Sequence, residues 1–448
     1  MILPSGLTIG QELQQALQLD DVILDIEITA NRGDCLSVVG IAREVAALSA
    51  STLHLPEIVM GQTGNQQGAP LPLRIESPEL CPFYALRLIQ GVRVAPSPFW
   101  LKRSIIASGG KPVNNIVDVT NFVMWELGQP LHAFDSTRLD GPEIVVRRAR
   151  AGEVLTTLDG KKRVLGPQML VIADRKEAVA LAGVMGGKQS EVVDTSTDIL
   201  LEAALFDAVN TGRTSRKLGL VSEASARFDR GIDPAMLRFA LDRASALIQE
   251  TSGGLILDPP CEAGELPLKK TTLSFRPARV HKLAGSQIAP EICRDALTRL
   301  GFEVQDSSDQ DQSWVVTVPT FRRDVSREID LIEEVCRLYG YDNIGASLPA
   351  LGRTGGSDKR AELFASRLRG CLVGCGFYEA KTHSLVSKEM AAVGLEETRQ
   401  ALAVRNPLSS QQGYLRPHLF PQLVDAAGNN FRLGMPVVRL VEIGEVFA

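Results

Sequence analysis

The stretch VDVTNFVMWELGQPLHAFD at residues 117–135 is largely apolar, yet it also contains several polar side chains. These polar residues are Asp118, Thr120, Asn121, Glu126, Gln129, His132 and Asp135. Buried polar groups need hydrogen-bond partners or a ligand. Because Pro130 restricts the backbone before His132 and a carboxylate follows at Asp135, we expect the imidazole to be held in a fixed place. The stretch is therefore predicted to form one wall of a pocket.

A glycine-rich segment, VALAGVMGGKQSEV at residues 179–192, indicates a second part of such a pocket. Glycines at 183, 186 and 187 allow the backbone itself to approach a ligand closely. A phosphate-binding loop is excluded, because it requires Gly where Ala182 stands and Ser or Thr where Gln189 stands. Taken alone, the glycines favour a tight turn between two strands.

A third segment, ILLEAALF at residues 199–206, places Glu202 in the middle of an apolar strand pattern. A buried carboxylate is costly unless it is paired or hydrogen-bonds another group. Together with the glycine segment, Glu202 favours a functional pocket over a simple turn.

The stretch at residues 210–234 is basic within an acidic chain. It reads as a polar loop containing Arg213, Arg216, Lys217, Arg227 and Arg230. Two interpretations stay open, a solvated surface loop or a contact for phosphate groups near the pocket, since the forked guanidinium group suits phosphate oxygens.

The N-terminal half of the chain divides at a segment without apolar periodicity, residues 61–70. Before it, strand-like residues 21–29 and helix-like residues 35–49 predict a small α/β unit over 1–60. After it, residues 61–266 are predicted to be rich in strands, with helices at 98–108 and 234–251. The Asp159–Gly160 pair between strand-like runs predicts a hairpin.

Residues 267–346 predict a helix from Pro290 to Gly301, two strands and a closing helix over 327–341, a winged-helix-like arrangement. The closing segment contains four carboxylates, Asp324, Asp330, Glu333 and Glu334. Spacing alone favours an ordinary acidic helix face over a Mg²⁺ site, although oxygen-only ligands suit Mg²⁺.

Composition predicts an α+β multidomain protein, since 448 residues at 44% hydrophobic content allow roughly three cores. No apolar run is long enough for a membrane span, and no signal peptide is evident, so a cytoplasmic location is expected. Seven scattered cysteines argue against a disulfide framework. The net charge of −5 disfavours a broad, nonspecific nucleic-acid surface.

The order of these motifs resembles that of the bacterial phenylalanyl-tRNA synthetase β-subunit family over nearly the whole chain. The matching segments lie at residues 28–48, 114–135, 181–187, 200–206, 212–234, 275–280, 320–344 and 439–447. The resemblance implies a strand-rich editing domain at 61–266, a winged-helix-like B5 domain at 267–346, and a partial class II synthetase-like antiparallel-sheet domain at 355–448. It also implies that the family's oligonucleotide-binding-like and anticodon-contacting domains lie outside this chain.

The resemblance further implies the hydrolysis of tyrosine wrongly attached to phenylalanine tRNA. The residues implied to be catalytic are Thr120, Asn121, His132 and Glu202, with Glu202 receiving the tyrosine hydroxyl. Substrate binding would fall to Ala182, Gly183 and Gly186. The resemblance favours a Mg²⁺ site over an ordinary acidic helix face, with ligands Asp324, Asp330, Glu333 and Glu334.

The implied partners are an α subunit, in a heterotetramer of two α and two β subunits, and tRNA(Phe), with no membrane. ATP would be used at the α subunit, without which the chain should not charge tRNA. No Ser-His-Asp or Cys-His pattern is evident in the strand-rich segment, so we expect direct attack by a positioned water. The competing interpretations are a free-standing trans-editing hydrolase and a nucleic-acid-binding scaffold.

Overall fold

The computed structural model describes residues 8–17, 19–65, 72–141, 143–307, 313–346, 359–395 and 400–447. The chain divides into two compact units, Met1–Ala346 and Ser347–Ala448. Both units mix helices with small sheets, which confirms the predicted α+β class. Among the described residues, no helix is both long and apolar enough to cross a bilayer.

The first unit contains ten of the helices in the described residues. They are α1 (Leu13–Ala16), α2 (Val38–Ser49), α3 (Phe99–Ala107), α4 (Asn115–Leu127), α5 (Ala208–Leu218), α6 (Glu223–Arg230), α7 (Leu237–Ser252), α8 (Pro277–Ala284), α9 (Pro290–Arg299) and α10 (Glu328–Tyr339). Side-chain caps begin several of them. Asn114 accepts hydrogen bonds from two backbone amides at the start of α4, and Asp207 and Ser222 do the same for one amide each in α5 and α6.

A six-stranded sheet forms the centre of this unit. Its strands are β1 (Thr63–Asn65), β3 (Phe83–Gln90), β4 (Leu131–Asp135), β11 (Asp198–Leu205), β12 (Leu255–Asp258) and β13 (Cys261–Gly264). The long strand β11 lies between β3 and β4 and is antiparallel to both. Helix α7 packs on β11 and against α4, which buries one face of the sheet.

A five-stranded sheet shares the same hydrophobic core. Its strands are β2 (Leu73–Ile75), β5 (Ile144–Arg148), β8 (Leu170–Ala173), β9 (Ala178–Leu181) and β10 (Met185–Gly186). Ile144, Val146 and Ile172 of this sheet belong to one cluster with Phe83 and Leu86 of the larger sheet. The hairpin predicted at Asp159–Gly160 is confirmed, since it joins β6 (Val154–Thr156) to β7 (Lys162–Val164).

A separate core supports the segment that follows. Strands β14 (Thr272–Phe275), β15 (Glu303–Asp306) and β16 (Trp314–Thr317) pair antiparallel in the order β14-β16-β15. The predicted helices are confirmed as α9, with Pro290 in its first turn, and α10, which ends at Gly340. Their buried faces pack with the sheet around Phe275, Leu297 and Leu331.

The second unit contains three helices and four short strands in its described residues. They are α11 (Arg360–Gly374), α12 (Lys388–Ala392) and α13 (Phe420–Arg432), with β17 (Tyr378–Glu379), β18 (Leu385–Val386), β19 (Tyr414–Leu415) and β20 (Leu440–Val441). Strands β17 and β20 pair parallel, whereas β18 and β19 pair antiparallel. The buried Arg416 donates to Glu442 at 2.7 Å and holds this small unit together.

Three local expectations differ from the structure. Residues 21–29 form no strand, because no neighbouring segment pairs with them, so an independent α/β unit is not built there. The expected linker at 61–70 begins with β1, which pairs in parallel with β12, while its residues 66–70 lie outside the described ranges. The stretch expected to be a loop at 210–234 instead contains α5 and α6.

Candidate active site

A cavity of about 440 Å³ lies beside the six-stranded and the five-stranded sheets of the first unit. Its walls come from α4, β4, β11, the glycine segment around β9 and β10, and the start of α6. The lining includes Val117, Thr120, Asn121, Met124, His132, Leu158, Ile172, Gly183, Gly186, Glu202, Phe206, Ser222, Glu223 and Phe228. The pocket predicted from residues 117–135 is therefore present.

Glu202 and His132 are direct neighbours across adjacent strands. The register of β11 and β4 pairs the two residues opposite each other, so their side chains project from the same face of the sheet. Within the described residues, neither Glu202 Oε2 nor His132 Nε2 has a hydrogen-bond partner. Two adjacent buried polar groups are thus left available to a ligand in the cavity.

Burial changes the protonation of both groups in opposite senses. It raises the pKa of the Glu202 carboxyl to about 8, against the opposing effect of the nearby Tyr84 hydroxyl. It lowers the pKa of the His132 imidazole to about 4. At neutral pH the imidazole is therefore uncharged and can accept a proton, while most Glu202 carboxyls are protonated.

Gly186 allows close approach of the backbone to His132. A Cβ atom at Gly186 would lie 2.5 Å from His132 Cε1 and 2.7 Å from Nε2, closer than side-chain contacts allow. Gly183 has a φ of +68°, and a Cβ there would lie 3.0 Å from the ring of Phe206. These glycines therefore let the backbone approach the side chains of His132 and Phe206 closely, and close approach to a ligand stays a prediction.

The backbone amides of the glycine segment are mostly occupied. Ala182 N donates to Leu170 O, Val184 N to Leu181 O, and Gly187 N to Val179 O. In the described part of the chain, the Gly183 N–H has no such acceptor outside the strand ladders. Among the described residues, the Gly183 N–H is therefore an amide of this segment that remains available as a donor.

The polar residues of the opening stretch divide into two groups. Four of them support the fold. Asp118 accepts from Ser97 Oγ and Val113 N, Glu126 pairs with Arg243, Gln129 donates to Ala204 O, and Asp135 accepts from Thr137 and Ser196. The other three, Thr120, Asn121 and His132, line the cavity.

Six of the seven predicted editing residues line the cavity, and Ala182 does not. Ala182 is buried beside it. Sequence reasoning missed the aromatic wall of Phe206 and Phe228, and the rim at Ser222. Ser222 had a readable signal, because a serine followed three residues later by a second hydroxyl residue, Ser225, is typical of a helix start.

The four predicted metal ligands are not gathered around one point. Arg322 donates to Asp324 at 2.9 Å and to Glu334 at 2.7 Å, and Arg337 donates to Glu334 at 2.6 Å. Asp330 instead accepts from the backbone amides of Ser326 and Arg327 at the start of α10. Glu333 is exposed and accepts from the Tyr341 hydroxyl at 3.4 Å.

These arginines belong to a larger buried network. Glu44 of α2 pairs with Arg337 at 2.7 Å and with Arg32, which also binds Asp34 at 2.8 Å. We call this set the arginine cluster, namely Arg32, Asp34, Glu44, Arg322, Asp324, Glu334 and Arg337. Among the residues described, Asp34, Cys35 and Glu44 form the single set of three metal-type ligands within 4.8 Å, and Arg32 occupies it. As placed, the carboxylates around Arg322 do not fit a Mg²⁺ ion, because arginines already satisfy two of them.

The basic stretch contributes both structure and charge. Arg227 is buried and donates to Leu36 O, which ties α6 to the N-terminal segment. Arg213, Arg216, Lys217 and Arg230 are exposed on α5 and α6, whose neighbouring residues Ser222 and Glu223 line the cavity. Arg230 therefore shares α6 with the lining residues, whereas the other three cations lie on α5, which packs against α6.

Models of three domain families match the chain in series. A B3/4 domain matches residues 80–253, a tRNA synthetase B5 domain matches 273–341, and the phenylalanyl tRNA synthetase beta chain CLM domain matches 344–448. The cavity lies almost entirely within the first of these matches. The order agrees with that predicted from the sequence motifs.

Curated relatives match the chain over its full length. The phenylalanine–tRNA ligase beta subunit of Moorella thermoacetica is 42% identical over 99% of this chain and 55% of its own length. The beta subunit of Anaeromyxobacter dehalogenans is 44% identical over 100% of this chain and 56% of its own. The chain thus spans a little over half the length of these relatives.

Among solved structures, an N-terminal fragment of the phenylalanyl-tRNA synthetase beta subunit from Pyrococcus horikoshii aligns with 70% of this chain and 85% of its own. Its sequence identity is 14% and its TM-score 0.35. This TM-score is too low for the structural similarity to support a family assignment. The domain order and the curated relatives show that the chain belongs to the bacterial phenylalanyl-tRNA synthetase β-subunit family.

Proposed function

We propose that this chain carries an editing hydrolase that releases tyrosine from mischarged tRNA(Phe). The observation that carries the proposal is the pair of unpartnered buried groups, Glu202 Oε2 and His132 Nε2, in a cavity of about 440 Å³. An aromatic ring fits the apolar wall of Phe206, Phe228 and Met124, and its hydroxyl can reach Glu202.

The selectivity of such a pocket follows from the cost of leaving Glu202 without a partner. A synthetic site built for phenylalanine excludes a near-isostere with one extra hydroxyl by only about 100-fold. A second pocket that hydrogen-bonds the hydroxyl discriminates in the opposite direction. Phenylalanine in this cavity would leave Glu202 desolvated and unpaired, at a cost of roughly 1–3 kcal/mol.

The proposed chemistry is direct hydrolysis of the aminoacyl ester. Water attacks the ester carbonyl carbon, the bond to the ribose oxygen breaks, and a proton passes from the water to that oxygen. The uncharged His132 Nε2 accepts the proton from the water, and the Gly183 N–H donates to the oxygen that becomes negative. Thr120 and Asn121 hold the ester between α4 and the glycine segment.

We also propose that the exposed cations of α5 and α6 bind tRNA phosphates at the rim of the cavity. Arg213, Arg216, Lys217 and Arg230 lie on helices next to the lining residues Ser222 and Glu223. Guanidinium groups suit phosphate oxygens because two N–H groups can donate at once.

Further proposals concern the whole enzyme. The chain works with an α subunit, in a heterotetramer of two α and two β subunits, to attach phenylalanine to tRNA(Phe) in the cytoplasm. ATP is used at the α subunit, and Mg²⁺ at Asp324, Asp330, Glu333 and Glu334 is proposed only for that assembly.

The three family-model matches support an editing domain at 61–266, a winged-helix-like domain at 267–346 and a partial synthetase-like domain at 355–448. For residues 1–60, the contacts support a segment of the first unit and not a separate domain. Arg227 connects this segment to α6, and the arginine cluster connects it to α10.

The decisive experiment compares deacylation of tyrosyl-tRNA(Phe) and phenylalanyl-tRNA(Phe) by the chain, with and without an α subunit. We expect faster release of tyrosine, and loss of that preference in Glu202→Ala. Equal rates on the two esters, or unchanged rates in both Glu202→Ala and His132→Ala, would contradict the proposal. Co-purification with an α subunit separates the β-subunit proposal from a free-standing hydrolase or a scaffold.

A further inference from the structure

Tyr84 is the buried polar residue next to the cavity that the proposed mechanism does not use. It lies on β3 with no exposed surface, and within the described residues its hydroxyl has no hydrogen-bond partner. Its ring packs at 6.4 Å from the ring of Phe206, which lines the cavity, whereas Tyr84 itself stands behind the wall. A buried hydroxyl without a partner is costly, and phenylalanine would fill the same space without that cost.

The strand register brings Tyr84 to Glu202. Strands β3 and β11 pair Tyr84 with Ala204 and Leu86 with Glu202, so Tyr84 and Glu202 lie diagonally on the same face. Diagonal neighbours in an antiparallel pair are within reach of aromatic and long side chains. Ala204, directly opposite Tyr84, is too small to separate the phenol from the carboxyl.

The two side chains interact electrostatically in the buried sheet. Burial, together with the nearby Glu202 and Cys81, raises the pKa of Tyr84, so the phenol keeps its proton and is available as a donor. Glu202 has two oxygens, and Oε2 is without a partner in the part of the chain described. One carboxyl oxygen can therefore serve the cavity while the other accepts from Tyr84.

We propose that Tyr84 is a positioning residue that holds the Glu202 carboxyl toward the cavity when a phenolic hydroxyl is bound there. The carboxyl then lies between two hydroxyls, one from the protein and one from the substrate. This inference rests on the proposed function in taking a tyrosyl group as the occupant. It makes discrimination between tyrosine and phenylalanine a property of the Tyr84–Glu202 pair.

The test uses the full chain and two readouts. Binding of free L-tyrosine and L-phenylalanine is measured by calorimetry, and KM and kcat are measured for tyrosyl-tRNA(Phe). The variants are Tyr84→Phe, Glu202→Gln and the double variant, with Tyr339→Phe as a matched control. Tyr339 lies on α10, and its variant loses the same atom outside the sheet that holds Glu202.

We expect Tyr84→Phe to weaken L-tyrosine binding roughly tenfold, the scale of one buried hydrogen bond, and to leave L-phenylalanine binding unchanged. KM for the tyrosyl ester should rise with little change in kcat, and the double variant should lose no more than Glu202→Gln alone. Tyr339→Phe should match the unmodified chain.

An equal loss for both amino acids would assign Tyr84 a packing role and overturn the inference, as would an unchanged preference in Tyr84→Phe. If the unmodified chain prefers L-tyrosine but hydrolyses neither ester, the proposed hydrolysis fails while the binding ratios still decide the role of Tyr84. If the unmodified chain binds both amino acids equally, both proposals fail.

Discussion

Glu202 and Glu334 are both buried carboxyl groups, yet their surroundings shift their pKa values in opposite directions. Glu334 accepts from Arg322 at 2.7 Å and from Arg337 at 2.6 Å. Burial alone would raise the pKa of Glu334, but these arginines lower it to about 2. Among the described residues no cation offsets the burial of Glu202, which raises its pKa to about 8. The fold therefore fixes one carboxylate for structure and leaves the other to be completed by a ligand.

The difference separates a buried acid that the fold pairs from one that it leaves unpaired. The sequence places Glu202 in an apolar strand pattern and Glu334 on an acidic helix, and only the structure shows that both side chains are buried. The distinction comes from the partners, because a buried acid with paired arginines contributes to the fold, and a buried acid without partners weakens it.

Removing an arginine that pairs with Glu334 should have the largest effect on the free energy of unfolding. Arg322→Met leaves Asp324 without its arginine and Glu334 with only Arg337, and loss of one partner from a buried ion pair costs about 3–5 kcal/mol. Urea unfolding measures the change. The matched control is Arg327→Met, whose exposed pair with Asp330 is worth less than about 1 kcal/mol. Equal losses in the two variants would show that the arginine cluster is not a structural unit.

Replacing Glu202 by the uncharged glutamine should change how the free energy of unfolding depends on pH. The pKa of Glu202 rises from 4.5 to about 8 on folding, so the folded state binds the proton more tightly, and the free energy of unfolding falls as pH increases through that range. Glu202→Gln has no such proton. Its stability relative to the unmodified chain should therefore increase from about pH 5 to about pH 8.5 in urea unfolding experiments.

The titration of His132 does not disturb that comparison. Its pKa is lowered, so its own contribution is lost as pH falls below the ordinary value of 6.5, and it is present in both proteins. A difference in stability that stays constant between the two pH values would contradict the assignment of Glu202 as an unpaired buried acid.

Displacing the neighbour of Glu202 should reduce activity by a smaller amount. Gly186→Ala adds a Cβ within 2.5 Å of His132, so the imidazole must move while the fold is retained. We expect hydrolysis of tyrosyl-tRNA(Phe) to slow roughly tenfold, because small misplacements of reacting groups are costly. Gly345→Ala is the control, since among the described residues no atom lies within 4 Å of its Cβ. Similar rates in both variants would remove His132 from the mechanism.

Adding Mg²⁺ to the chain alone should have the smallest effect. Because Arg322 already satisfies Asp324 and Glu334, the midpoint of thermal unfolding is expected to stay within about 1 °C at millimolar Mg²⁺, since only bound ligands stabilise a fold. A midpoint that rises with Mg²⁺ in the unmodified chain, and not in Glu333→Gln, would place the ion there without an α subunit.

Much of the candidate site could be predicted from the sequence, at positions where a local pattern contained a residue that is costly to bury or that is needed for a special backbone geometry. Glu202 in an apolar strand, Gly183 and Gly186 between strands, and His132 after Pro130 all lie at the cavity as expected. The hairpin at Asp159–Gly160 and the ends of α9 and α10 followed from turn and cap residues. These features depend on a few neighbouring residues.

Features that depend on distant partners were not readable. Residues 21–29 alternate like a strand, but alternation specifies a face and not a neighbour. Helix α5 is rich in Ser, Thr and Gly, which favour loops, and the helical state of α5 and α6 follows from the caps Asp207 and Ser222 and from packing. Arg337 follows Glu334 by three residues on α10, so helix spacing does give that pair. The contacts of Arg322 with Glu334 and of Arg337 with Glu44 join separate segments, so spacing along α10 could not reveal them.

The parallel pairing of β1 with β12 has a consequence for how this protein is made. Thr63 pairs with Ile256, so the edge of the six-stranded sheet joins segments from opposite ends of the folding unit. During synthesis the N-terminal segment leaves the ribosome first and waits for its partner strand until almost the whole unit has been translated. Loop closure over such a distance is slow, so β4 and β11, which carry His132 and Glu202, can pair before β1 reaches β12. A nascent chain stopped before residue 256 should accordingly lack this edge pair while β3, β4 and β11 are already in place.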